Sequence, residues 1–266
     1  MQLLRKVLAE IGHPVSPAVV RRITSNAGYK WRKARVVLTS TDPTYSEKLD
    51  RIHSILANLQ SDEAFFSIDE YGPFAVKMYG GSKLVAPGEQ VIIPQWQKSQ
   101  GSLILTGALE LSSNQITHFY SAKKNTDEII RMMDELVIKY SNKKRIYLSW
   151  DAASWHIAKR LNEQILKRNA KVTIGGGVFI ETAPLPSGAQ FLNVIESVFS
   201  GMSRAIIHHS NYSSIEAAKD AINMYISERN DHYRKYPHRA GNKIWGKERE
   251  PSTFSDSNNC KDPRYR

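Results

Sequence analysis

The spacing of apolar residues along this chain changes period several times, and each change predicts a different element. Leu3, Leu4, Val7, Leu8 and Ile11 fall at helical spacing, and Gly12 ends the run. A second helix follows. Ser16 caps it, Pro17 takes its first position, Val19, Val20 and Ile23 give it a buried side, and Gly28 closes it. Leu49, Ile52, Leu56 and Leu59 form one stripe of a connecting helix. From residue 61 the period shortens. Strands are predicted over 64–71, 74–79 and 103–111. A helix is predicted over 126–140, with Thr126 as its cap and Ile129, Met132, Met133, Leu136 and Val137 inward. A strand over 145–150, a helix over 154–168, a short strand over 171–174, a loop to Gly188 and a long helix over 189–207 complete the pattern. Three meandering strands followed by alternating helix and strand predict an α/β fold, a mixed sheet flanked by helices.

This pattern divides the chain into four parts: a small helical module at 1–38, a linker and helix at 39–60, the main α/β domain at 61–226, and a basic extension at 227–266. The polar end of the extension, from residue 251, is expected to be disordered.

Composition narrows the class. Of 266 residues, 41% are hydrophobic and 24% charged, as in an ordinary globular protein. No apolar run approaches the roughly 18 residues of a membrane span, and the first residues lack the apolar core of a signal peptide. The single cysteine, Cys260, excludes an internal disulfide framework and a cysteine-built zinc cage. The expected compartment is the reducing cytosol.

Charge changes the picture more. Lys and Arg number 37 against 26 Asp and Glu, a net charge of +11. Such a field attracts a polyanion, and nucleic acid is the commonest one in the cytosol. The first module then acquires a second meaning. Two short helices joined by a tight turn, the second carrying Arg21 and Arg22, suit a helix-turn-helix reader of DNA. Lys30, Arg32, Lys33 and Arg35, with Tyr29 and Trp31 among them, suit an arm lying on phosphates. A plain helical hairpin with a solvated basic tail accounts for the same residues. Arg229, Arg234, Lys235, Arg239, Lys243, Lys247 and Arg249, with Tyr233, Tyr236 and Trp245 among them, leave the same two readings for the extension.

Three carboxylates stand in unusual places. Asp69 lies late in an apolar strand, where an acid costs desolvation. Alternation puts it with Phe65, Ser67 and Tyr71 and sends Glu70 to the other face, so only one of the two acids serves a given site. Asp151 follows the apolar run 146–150 at a strand's carboxyl end, where open α/β sheets place their sites. Glu196 sits at the edge of the stripe formed by Phe191, Leu192, Ile195, Val198, Phe199 and Met202. Clustered carboxylates repel one another and need cations to stay ionised. Oxygen-only ligands select hard divalent ions, magnesium or manganese, and two such ions clamp an in-line displacement at phosphorus. His156, just past Asp151, reads either as a group approaching a phosphate or as a structural histidine. Gly175-Gly176-Gly177 lacks the Lys-Ser/Thr of a phosphate loop and reads as a plain loop.

The blocks Ser67-Ile68-Asp69-Glu70-Tyr71-Gly72, Leu148-Ser149-Trp150-Asp151-Ala152-Ala153-Ser154-Trp155-His156 and Phe191-Leu192-Asn193-Val194-Ile195-Glu196 resemble the three acidic blocks of DDE transposases, and within them the mariner-related bacterial insertion-sequence group. The resemblance spans roughly residues 15–250. It implies a ribonuclease H-like catalytic domain, a metal-binding triad of Asp69, Asp151 and Glu196, and two Mg2+ or Mn2+ ions per site. It also implies terminal inverted repeats and target DNA as partners, a homodimer at the paired ends, and a bacterial cytoplasmic setting. The activity implied is cleavage at transposon ends and strand transfer into target DNA. The chain departs from the family in carrying Ala152 where Asn is usual, Val194 where Pro is usual, and a 45-residue step from Asp151 to Glu196. Two other readings remain: a transposon-derived DNA-binding protein without catalysis, and a ribonuclease H-like nuclease.

Overall fold

The computed structural model describes residues 2–30, 40, 42–82 and 84–241. Arg32, Lys33 and Arg35, and the expected disordered tail, lie outside them.

Two helices form by themselves at the start, α1 (Gln2–Glu10) and α2 (Pro17–Asn26). The capping expectation holds, because the Ser16 hydroxyl accepts the Val19 N–H and Pro17 stands at the first turn. Val20 is the buried residue of α2, while Arg21 and Arg22 are exposed.

The second unit is built on a five-stranded sheet. Its strands are β1 (Glu63–Ala75), β2 (Ser102–Glu110), β3 (Gln115–Ser121), β4 (Arg145–Ser149) and β5 (Phe179–Thr182), in the order β3-β2-β1-β4-β5. The first three are antiparallel neighbours, and β1, β4 and β5 run parallel. Alternation along β1 divides the apolar residues. Ala64, Phe66 and Ile68 join one core with α4 (Thr126–Lys139) and α5 (Lys159–Gly175). Phe65 joins the other, with α3 (Tyr45–Ala57), α6 (Val194–Met202) and α7 (Ile215–Lys235). The result is the expected mixed sheet between two helical layers. No helix among the described residues is long and apolar enough to cross a membrane.

Several elements differ from the expectation. The stretches 64–71 and 74–79 do not form two strands. One strand, β1, runs through both as far as Ala75, and its register slips between Tyr71 and Phe74. Gly72 makes that slip feasible. It has φ +106°, and a Cβ there would lie 2.5 Å from the Leu103 carbonyl oxygen. The third antiparallel strand is instead β3. Residues 171–174 are not a strand but the last turns of α5, which runs to Gly175 and is closed by Gly176 at φ +77°. Val172 and Ile174 are β-branched, but Ile174 is 91% exposed and pairs with nothing. The edge strand lies just beyond the glycines, at β5.

The helix expected from residue 154 starts only at Lys159, and residues 154–156 form a turn. Asn125, not Thr126, caps α4, accepting the Glu128 N–H, while Thr126 Oγ1 donates to the Trp155 carbonyl. The run 189–207 is broken at Asn193, between a 3-10 turn (Gln190–Leu192) and α6, and ends in a π turn, Ser203–Ile207. The helix α7 runs through residue 226, the expected end of the main domain.

Candidate functional site

The parallel pairing of β1 and β4 ends at Ser67 opposite Ser149. Extending that register by two residues brings Asp69, midway along β1, level with Asp151, just past the carboxyl end of β4. Asp69 points to the face covered by α6, as alternation requires. Glu196 lies in the first turn of α6, and with Asp69 it lines one cleft of about 490 Å³. The other walls of the cleft include Tyr71, Phe199, Ser203, Arg204 and His208.

The helix is seated on β1 by polar contacts that its apolar stripe does not reveal. Ser67 Oγ donates to Asn193 Oδ1 at 2.6 Å and accepts the Ile195 N–H at 3.1 Å. Asn193 Nδ2 donates to Asp69 Oδ2 at 3.0 Å. Both side chains are buried, at 3% and 4% exposure. Asn193 therefore breaks the long helical run and ties the start of α6 to the strand that carries Asp69. Close packing helps: a Cβ on Gly107 of β2 would stand 3.0 Å from Phe199 and 3.1 Å from Ile195. A polar serine inside an apolar strand and an asparagine ahead of an apolar helix are visible in the sequence, but neither reveals the other as its partner 126 residues away.

The electrostatics tie the three acids together. Burial pushes the Asp69 carboxyl up to about 7, against the opposing hydrogen bond from the Glu70 N–H, and the charges of Asp151, Glu70 and Glu196 add to the rise. Burial and the charge of Asp151 raise Glu196 as well. Asp151 moves the other way. The hydrogen bond from His156 lowers it most, opposed by burial and helped by the Ala153 N–H and by Lys124. Its Oδ1 accepts from His156 Nδ1 at 2.7 Å and from Ala153 N at 3.0 Å. His156 is thus a buried partner of Asp151, at 2% exposure, and not a group facing solvent or a phosphate.

Among the described residues no three carboxylate, histidine or cysteine side chains are gathered closely enough to grip one ion. The three acids share a field rather than a closed cage. Their chemistry still fits hard cations. The donors are all carboxylate oxygens, and burial and mutual repulsion raise two of the three, a cost that a divalent ion would relieve. Arg21, Arg22 and Lys30 are exposed in the helical module, away from this chemistry in the sequence.

Comparison with known proteins shows the family and the fold. Residues 64–219 match the family described as DDE superfamily endonuclease. The fold is similar to that of the Mos1 mariner paired-end complex with Mn, with a TM-score of 0.58 and 16% identity over 91% of this chain and 69% of the other. It is also similar to the Mos1 transposase paired-end complex with left transposon end, with a TM-score of 0.56 and 17% identity over 92% and 75%. The Mos1 strand transfer complex gives 0.53 and 14% over 87% and 71%. No curated protein matches.

Proposed function

This chain belongs to the DDE superfamily endonuclease family, and from that premise we propose that it is a transposase that cuts DNA at the ends of a mobile element and joins them to target DNA. The observation that carries the reading is the placement of Asp69, Asp151 and Glu196. Asp69 lies just past the point where β1 and β4 stop pairing, Asp151 follows the end of β4, and Glu196 lies on the helix bound to β1. Bound there, two divalent ions supply Lewis-acid activation of the phosphodiester and of the attacking hydroxyl.

The chain's own residues do the rest. Asn193 and the Glu70 N–H fix the two oxygens of Asp69, so that carboxylate is oriented before substrate arrives. Ser67 and the close fit at Gly107 hold Glu196 at a constant depth. Arg204 on the cleft wall would balance a backbone phosphate. Arg21, Arg22 and Lys30 would read and hold the terminal repeat, together with the basic stretch at Arg32, Lys33 and Arg35. Two copies would act on the paired ends, by likeness to the family. No tyrosine or serine is needed as a covalent link to DNA, because the freed 3′-hydroxyl is itself the nucleophile of the joining step.

The test uses a labelled duplex carrying the terminal sequence of the DNA element that encodes this chain, with Mg2+ or Mn2+. The reading predicts a new 3′-hydroxyl at the terminus and a joined product with a second duplex, both lost in Asp151→Asn. Cleavage of RNA–DNA hybrids with no joining of DNA ends would overturn it.

A further inference from the structure

Glu70 stands beside Asp69 in the sequence but on the opposite face of the sheet, so the proposed reaction does not use it. It is nevertheless among the most enclosed acids of the chain, its side chain 1% exposed. An acid so placed needs donors, and two come from one turn. Trp155 Nε1 donates to both oxygens, at 3.2 and 3.3 Å. His156 Nε2 donates to Oε1 at 3.3 Å. The His156 ring is fully enclosed between Trp150 and Trp155, 5.8 Å from each ring centre. Its other nitrogen donates to Asp151 Oδ1.

An unbroken chain therefore runs from Glu70 through His156 to Asp151, passing round the end of the sheet. With a carboxylate at each nitrogen and two indoles packed against it, the imidazole has one orientation. The two bonds to Asp151 from His156 and Ala153 both fall on Oδ1, and among the described residues Oδ2 receives none. The turn is itself pinned. Thr126 Oγ1 donates to the Trp155 carbonyl, and Lys124 Nζ donates to the Glu70 carbonyl.

We propose that Glu70 and His156 are positioning residues: Glu70 orients His156, and His156 holds Asp151 by Oδ1 so that Oδ2 is the oxygen left for a cation. This rests on the reading of Asp151 as a cation ligand given above. Partners of this kind, one step removed from the ion, change metal affinity by roughly 10- to 100-fold when lost.

The test is binding of Mn2+ to the full chain, followed by the electron paramagnetic resonance signal of the free ion, alongside circular dichroism and DNA binding. Glu70→Gln is expected to stay folded, to bind DNA as the parent does, and to bind Mn2+ roughly tenfold more weakly. His156→Ala is expected to weaken Mn2+ further, and the double variant to be no weaker than His156→Ala alone. Nicking by Glu70→Gln should lose kcat with KM for DNA unchanged. A merely structural role would give additive losses and would weaken DNA binding too, and that pattern overturns the proposal. So does parent-like Mn2+ binding by folded Glu70→Gln. If Glu70→Gln does not fold, His156→Gln is read in the same way. Asp151→Asn separates the two claims. If it binds Mn2+ as the parent does, the reading of the site fails and the proposal falls with it. If only Glu70→Gln is without effect, the proposal fails alone.

Discussion

At the scale of single residues, Asp69 carries a cost that its position makes unavoidable. Its carboxyl lies at about 7 in the folded chain, against 3.8 for the free group, chiefly through burial. The folded state therefore binds more protons than the unfolded state between those values, and stability falls as pH rises through them. Without divalent ions, Asp69→Asn should raise Tm at pH 8 by roughly 4 °C or more, and the gain should shrink toward pH 5. Thermal melts across that range check it, and a gain that grows as pH falls would have the sign wrong. Asp69 and Asp151 were legible in the sequence because an acid at the end of an apolar run is costly wherever it occurs. Glu196 was legible only through its block. Ser67, Asn193 and the buried role of His156 were not, because each depends on a partner more than 120 residues away or on the opposite face of the sheet.

Among the elements, the two sheet edges are closed by the same device. Asn230 on α7 accepts the Ile116 N–H and donates to the Ile116 carbonyl, at 2.8 and 2.9 Å. Asn169 on α5 does the same for Ile180, at 2.9 and 2.7 Å. Each amide pairs main-chain groups that an edge strand leaves open. Asn230→Ala and Asn169→Ala should each cost about 1–3 kcal/mol. In hydrogen exchange the Ile116 and Ile180 amides, respectively, should lose protection first, and unchanged protection would contradict the assignment. Gly107→Ala tests the seat of α6. The new Cβ must push Phe199 and Ile195 outward, costing about 1–3 kcal/mol and moving Glu196. Stability and nicking should fall together. Apolar periodicity located β2, β4 and α4 nearly to the residue and found the buried stripe of α3. It failed at β1, because a proline after Gly72 looks like a break where the strand only slips, and at 171–174, because β-branched residues were given to a strand that the helix outlasts. It missed β3, which pairs with its neighbour β2, and α7, which closes the outer edge of β3 through Asn230.

For the molecule as a whole, the net charge of +11 is the feature most readable from composition, and it speaks to the partner and not to the reaction. Binding of the proposed terminal repeat should weaken linearly in the logarithm of salt. Arg21→Ala and Arg22→Ala should each lower that slope by about 1. Both losses should extend to DNA that lacks the repeat, because a phosphate contact carries no sequence information. A salt slope left at the parent's value would contradict the assignment. The proposed reaction rests on three acidic blocks, far apart in the chain, read as one site.

Nicking of supercoiled plasmid in Mn2+ by the full chain tests that site most directly, with DNA binding measured beside it. Asp69→Asn, Asp151→Asn and Glu196→Gln should each cut at least about a hundredfold more slowly than the parent while binding the plasmid equally well. Parent-like cutting by any one of the three would contradict the claim that they act together.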